Sequence, residues 1–246
     1  MIEKAIAAFG GREVLNRLSS AKVTLAVSGN LNADYTFSGQ STVFQQFPDK
    51  LKVTQTVTVH KDDFNKSVGF LGVLLGTLSV NTGGDTVMSA TLGINGRAAW
   101  EVRDNTARQM AKVTEAEVRD ILYLNQCTQL LMLLGDDVQL EKVFANGVTT
   151  SITVHKAGKP DITLNFDQRS GFLVRSSFVE KDKDGKNVTF TNEYGNYQNF
   201  DGLNFAKTVK ITKSNGTVET DIIESIVPMA PANAPATFRV PAGISQ

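Results

Sequence analysis

The chain has 246 residues, with 25 Lys and Arg against 25 Asp and Glu, 41% hydrophobic residues and 20% charged ones. That balance belongs to a folded globular chain and excludes disorder as the default. A formal net charge of zero leaves no long-range field to hold a polyphosphate backbone, so nucleic acid is not an expected partner.

In chain order, Ile2, Ile6 and Phe9 share a helical stripe that Gly10-Gly11 interrupts and Val14, Leu15 and Leu18 resume. A short, broken helix is expected over 2–18. The opening Met1-Ile2-Glu3-Lys4 has no apolar secretory core, which fits either a cytoplasmic protein or a mature or excised form of an exported one. From Ala21 the period changes to two. Val23, Leu25 and Val27 alternate with Lys22, Thr24 and Ala26, and Leu51, Val53, Val57 and Val59 alternate with Lys52, Thr54, Thr56 and Thr58. Strands with one wet face are expected over 21–60.

Phe64, Val68, Leu71, Leu75 and Leu78 then recur at near-helical spacing, which predicts an apolar helix of about three turns over 62–78. Gly69, Gly72 and Gly76 interrupt its charge-free stretch, which falls short of the about 20 apolar residues of a bilayer span. Further strands are expected over 86–111. Thr114-Glu115-Ala116-Glu117 reads as a capping box, so a helix should begin at Thr114 and carry Val118, Ile121, Leu122 and the Leu130 to Leu134 run up to Gly135. Alternation returns in Ile152 and Val154, in Ile162, Leu164 and Phe166, and in Leu203, Phe205, Val209 and Ile211. Turn signals such as Ser170-Gly171, Asp201-Gly202 and Asn215-Gly216 separate the runs, giving an antiparallel meander over 138–227. Pro228, Pro231, Pro235 and Pro241 predict an extended tail over 228–246. The fold class is mainly β (α+β), and the length suits a single domain over 1–246.

Catalytic signatures are missing: there is no Gly-x-Ser-x-Gly elbow, no His-Glu-x-x-His, no phosphate-cradling loop and no dinucleotide fingerprint. His60 and His155 occupy polar-phase strand positions, and Cys127, the sole cysteine, reads as a packed thiol. Glu180 to Gly185 has the spacing of a calcium loop, but its twelfth position is Thr191 instead of the bidentate glutamate, so a hairpin turn is expected. No catalytic residue, cofactor or metal is expected, and the chain is not read as an enzyme. Apolar helix in excess of what a one-faced sheet needs leaves two readings open, a filled structural core and a cavity between sheet and helices.

Several stretches together resemble the LolA-like family of periplasmic lipoprotein carriers and outer-membrane lipoprotein-sorting proteins. They are Ala7-Ala8-Phe9-Gly10-Gly11, Ser38-Gly39-Gln40 to Phe47-Pro48-Asp49-Lys50-Leu51, and Asn95-Gly96-Arg97-Ala98-Ala99-Trp100. Leu164-Asn165-Phe166-Asp167 with Ser170-Gly171-Phe172-Leu173, Tyr197 to Leu203, and the closing Phe238 to Ile244 complete the set. One departure is Gln46-Phe47-Pro48, where carriers of that family tend to hold a basic residue before the proline.

The resemblance implies an incomplete antiparallel β-barrel, a curved sheet whose concave apolar face is closed by helices. It implies transport or chaperone-like carriage of a lipid or an acylated lipoprotein, with a membrane-associated donor or acceptor protein as partner, and export to the periplasm. On this reading Phe64, Val68, Leu71, Leu75, Ile121 and Leu122 belong to the lid, and Trp100, Phe166 and Phe172 to the apolar interior beneath it. The alternative is a structural or interaction domain with a filled core, excised from a larger exported protein.

Overall fold

The computed structural model describes residues 1–32, 35–61, 85–145, 147–181, 185–230 and 234–244. The expected helix over 62–78, with Phe64, Val68, Leu71, Leu75 and Leu78, lies outside them.

The broken N-terminal helix is two short ones, α1 (Ile2–Phe9) and α2 (Arg12–Arg17). The break is built on glycine. Gly10 has φ 117° and Gly11 φ 90°, a region that side-chain-bearing residues avoid, and a Cβ on Gly10 would sit 2.2 Å from the Gly202 carbonyl oxygen. Ile2, Ala5, Ile6 and Phe9 form the buried stripe of α1. Phe9 packs edge-on against Phe172, Tyr197 and Phe205, with centroids 6.2, 6.0 and 5.9 Å away, and Asn204 Nδ2 donates to the Ala8 carbonyl at 2.9 Å. The helix pair is thereby seated on the far strands of the sheet.

Among the described residues thirteen strands follow: β1 (Ser20–Asn32), β2 (Tyr35–Gln46), β3 (Lys50–Lys61), β4 (Thr86–Asn95), β5 (Ala98–Arg103) and β6 (Thr106–Gln109), then β7 (Gln139–Ala145), β8 (Thr149–His155), β9 (Ile162–Asp167), β10 (Leu173–Lys181), β11 (Asn187–Phe200), β12 (Leu203–Lys213) and β13 (Val218–Pro228). Every pairing is antiparallel, and the order is β6-β5-β4-β3-β2-β1-β13-β12-β11-β10-β9-β8-β7. Two meanders therefore meet where β1 pairs with β13. The sheet does not close, since β6 and β7 stand at opposite ends of the order. The connection between those two edges is helix α3 (Lys112–Thr128), followed by a 3-10 turn at Leu131–Leu134.

Three details differ from the sequence pattern. Helix α3 begins two residues before Thr114 with Ala111 at its N-cap, and no side chain caps it. The Thr114-Glu117 box does not form because Met110, buried and hydrogen-bonded from its amide to the Ala99 carbonyl, delivers the chain into the helix earlier. The helix also stops short of Leu134. Leu130, with φ 69° and no exposed surface, turns the chain into a 3-10 turn that buries Leu133 and leaves Leu134 exposed. The proline-rich tail is not wholly extended, since Ala234–Thr237 forms the short helix α4 and Phe238 after it is fully buried.

Trp100 is also on an unexpected face. In β5 it pairs with Gly93, whereas Ala99 pairs with Ile94 and joins the core with Leu92, Leu51 and Val118. Trp100 therefore points away from the concave side. It is 2% exposed, its ring lying over Gly93 on the face where Asn95 Nδ2 donates to the Phe238 carbonyl. A Cβ on Gly93 would come within 2.2 Å of the indole ring. Gly93→Ala should accordingly cost about 1–3 kcal/mol by overpacking and change the Trp100 emission, while Gly195→Ala, where a Cβ meets nothing within 4 Å, should be near neutral in urea denaturation.

Candidate functional site

On the concave side the inward residues are covered by α2 and α3, and between them and the sheet lies a cavity of about 230 Å³. Apolar cavities of about 150 Å³ already take up small apolar guests. At one end it is lined by Phe9, Leu15, Leu18, Ala21, Leu203 and Phe205, and along its length by Val23, Leu25, Val27, Val43, Val53 and Ile223. Helix α3 roofs it with Ile121, Leu124, Asn125 and Thr128. Successive lining positions from Ala21 to Val27 on β1 span about 20 Å at the usual strand rise.

The roof is pinned at its β4 side. Arg119 donates to the carbonyls of Gly96 and Arg97 at 3.0 and 3.1 Å and pairs with Glu115 one turn back at 2.7 Å. Gln126 Nε2 donates to the Pro48 carbonyl at 2.6 Å. Gln46, the residue that departs from the carrier pattern, instead accepts from Lys50 Nζ at 3.0 Å. The tie between sheet and helix is thus made by Gln126 and Arg119.

The sequence-derived candidates are dispersed. Ile121 lines the cavity. Leu122, next to it on α3, packs with Leu51, Leu92 and Ile94 in the core under the first half of the helix. Phe166 is fully buried in the larger core of α1, the 3-10 turn and β8 to β10, and Phe172 lies at its edge, stacked 4.0 Å from Tyr197. Trp100 faces the opposite side of the sheet, and Phe64, Val68, Leu71 and Leu75 lie outside the described residues.

Sequence alternation missed a polar end to this cavity. Glu219 and Asp221 of β13, Lys213 of β12 and Asn192 of β11 line that end, while Gln55 of β3 and Ser41 of β2 enter midway, level with Leu25 and Ile223. For Glu219 and Asp221 the cause is a β-bulge. Thr24 pairs with Ser225 but Leu25 pairs with Ile223, so Glu224 is an extra residue. It shifts the phase of β13: Ile226 and Ile223 point inward, and then Asp221 and Glu219 do, leaving Ile222 exposed. Glu224 itself is exposed and accepts from Gln40 at 3.4 Å.

Electrostatically the polar end is acidic. Lys213 Nζ lies 4.5 Å from the centre of the Phe190 ring, and burial lowers its pKa to about 8 against the pull of Glu117, Glu219 and Glu180. Burial raises both Glu219 and Asp221, which share a hydrogen bond, and the Glu219 charge raises Asp221 further. Burial followed by the charges of Glu117 and Asp120 on α3 raises Glu180 of β10 to about 7. Elsewhere, burial pushes the Cys127 thiol up to about 12, in keeping with a packed side chain. His60 and His155 lie on the outer face, beside Asp85 at 3.0 Å and Asp161 at 2.9 Å.

A raised Glu180 binds a proton in the folded state that the unfolded chain has lost above about pH 4.3. Folding stability should therefore fall as pH rises from there to about 7, the value to which Glu180 is raised. Lys213 contributes only above its own value of about 8. Glu180→Gln should flatten the decline of Tm between about pH 5 and 7, each kcal/mol amounting to about 2–4 °C. An unchanged slope in calorimetric scans would contradict the buried-acid assignment.

No protein-family model and no curated protein matches the sequence. Solved structures do match over almost the whole chain. A LolA superfamily protein from Nitrosomonas europaea aligns with a TM-score of 0.53 at 10% identity, covering 93% of this chain and 96% of that one. A DUF1329 family protein from Desulfovibrio piger aligns with a TM-score of 0.53 at 9% identity, covering 97% of each. A putative outer membrane lipoprotein-sorting protein domain from Vibrio parahaemolyticus gives 0.50 at 10% identity, covering 95% and 94%. The open thirteen-stranded sheet roofed by helices is thus the LolA-like incomplete barrel.

Proposed function

We propose that this chain binds a hydrophobic ligand, the acyl chain of a lipid or of a lipoprotein, and carries it without chemistry. The observation that supports this most directly is the elongated cavity between the concave face and helices α2 and α3, apolar along most of its length. Burying an apolar chain there releases about 25 cal/mol for each Å² removed from water, a sufficient driving force with no bond made or broken. Similarity to a lipoprotein-sorting domain and to a LolA superfamily protein supports the same reading and, with it, an exported, periplasmic setting and a membrane-associated partner that donates or accepts the ligand. No helix among the described residues is long and apolar enough to cross a membrane.

Native mass spectrometry before and after delipidation, followed by titration with N-phenyl-1-naphthylamine, tests the proposal. Lipid should copurify and the probe should bind the delipidated protein. Leu25→Trp, which puts a larger side chain into the middle of the cavity, should weaken probe binding about ten-fold with the far-UV dichroism unchanged. Absence of copurifying lipid together with absence of probe binding would reject carriage and favour a structural domain.

A further inference from the structure

We propose that the ligand of this cavity is an amphiphile with an amine-bearing, protonated head, seated against Glu219 and Asp221, its apolar chain running along β1 toward Leu15 and Leu203. The proposal rests on the cavity reading above and names the class of molecule it takes.

Geometry supplies the first argument. Without the extra residue at Glu224, the regular alternation of β13 would turn Ile222 inward and Asp221 outward. The bulge reverses this, exposing Ile222 at 41% and enclosing Glu219 at 5%. Exposed apolar residues occur elsewhere on the sheet, Val87 and Val227 among them, but here the exposure accompanies two neighbouring carboxyl groups turned into a cavity, and buried carboxyl groups are the departure from the burial rule that marks a site. Strand positions also order the cavity: along β13 the lining runs Ile226, Ile223, Asp221, Glu219, and along β12 it runs Leu203, Phe205, Val209, Ile211, Lys213. One end is apolar and the other polar on both strands.

The hydrogen-bond inventory supplies a second, independent argument. Gln55, from β3 on the other side of the β1 and β13 junction, is 3% exposed and lines the cavity, and its Oε1 has no partner. The covered Oδ1 of Asp221 has none either. Both atoms are acceptors, Asp221 in the row of the head and Gln55 in the adjoining row of Leu25 and Ile223, so a group that satisfies either must donate, as an ammonium does through its N–H bonds. A carboxylate or phosphate head could do neither.

Charge points the same way. Glu219 and Asp221 of β13 line this end, and Glu117 of α3 and Glu180 of β10 lie within electrostatic reach of its cation, Lys213 of β12, which also feels Glu219. Asp120 has its own partner, Lys159, at 3.5 Å. Burial disfavours the charged forms of these carboxyl groups, and a protonated amine brought among them supplies the counter-charge that favours their ionisation, which is the attraction that a cationic head finds here.

The test is displacement of cavity-bound N-phenyl-1-naphthylamine from the full chain at pH 7 by three amphiphiles of one chain length: dodecylamine, dodecanol and dodecanoate, each below its micellar concentration. Dodecylamine should displace the probe at about ten-fold lower concentration than dodecanoate. Asp221→Asn and Glu219→Gln, which remove the ionisable carboxyl groups without changing shape, should abolish that preference and leave displacement by dodecanol unchanged, while Asp136→Asn on the exposed surface should alter nothing. Equal displacement by amine and carboxylate in the wild type, or preference for the carboxylate, overturns the amine head and leaves the cavity reading standing, since the probe binds. If the wild type takes up neither probe nor amphiphile by calorimetry, the cavity reading falls and this inference with it. The wild-type comparison needs no variant to fold.

Discussion

An antiparallel sheet with one apolar face and two unpaired edges cannot stand alone in water, and most of this structure follows from how that face is covered. The strand order runs from β6 to β7 without closing, and the chain that joins those edges is α3. One helix therefore spans the opening and supplies apolar side chains to both halves, Val118 and Leu122 to the β3 to β5 core and Tyr123, Leu124 and Cys127 to the β8 to β10 core. Arg119 and Gln126 fix it to the turns that follow β2 and β4. Helices α1 and α2 cover the remaining end through Phe9, Leu15 and Leu18. Between the two covers the curved strands are not filled, and the space left is the cavity.

Packing and electrostatics divide that space. Where α2 and the second half of α3 meet the sheet, the lining is mainly hydrocarbon, interrupted by Gln45, Asn125 and Thr128, and dispersion with the hydrophobic effect sets most of the interaction. Toward Lys213 the same strands present carboxyl groups whose charged forms are disfavoured by burial. Such a cluster opposes folding, because paired apolar side chains would pack there with less penalty. Its presence next to a bulge fits a site kept at the expense of stability, in contrast to the outer face, where His60 and His155 find exposed carboxylate neighbours at little cost.

Much of the architecture could be read from the residues. Period-two alternation in Val23 to Val27, Leu51 to Val59 and Ile162 to Phe166 marked strands and their wet faces, the glycine pair at Gly10-Gly11 marked the broken helix, and the order of short motifs pointed to the incomplete barrel. These features are local: they depend on side-chain spacing and on backbone conformations that a few neighbouring residues decide. The candidate site was less legible. Apolar residues such as Phe166, Phe172 and Trp100 carry no sign of whether they fill a core, edge it or lie on the far side of the sheet, and only the pairing of Trp100 with Gly93 separates the last from the first.

Tertiary structure alone decided the phase of β13. In sequence, Val218 to Ile226 offers isoleucines at both parities, and nothing local says that Glu224 is the residue left out of the ladder. Register against β1 determines that, and with it whether two carboxyl groups face water or the cavity. The same holds for the start of α3, where the Thr114-Glu117 pattern competes with the position of the sheet edge that delivers Met110, and the edge prevails. Composition and periodicity thus settled that this chain makes a large antiparallel sheet with helices to cover it, because burial of apolar surface is written residue by residue. Which side chains line the polar end of the cavity was settled by strand register, which exists only once distant segments have paired.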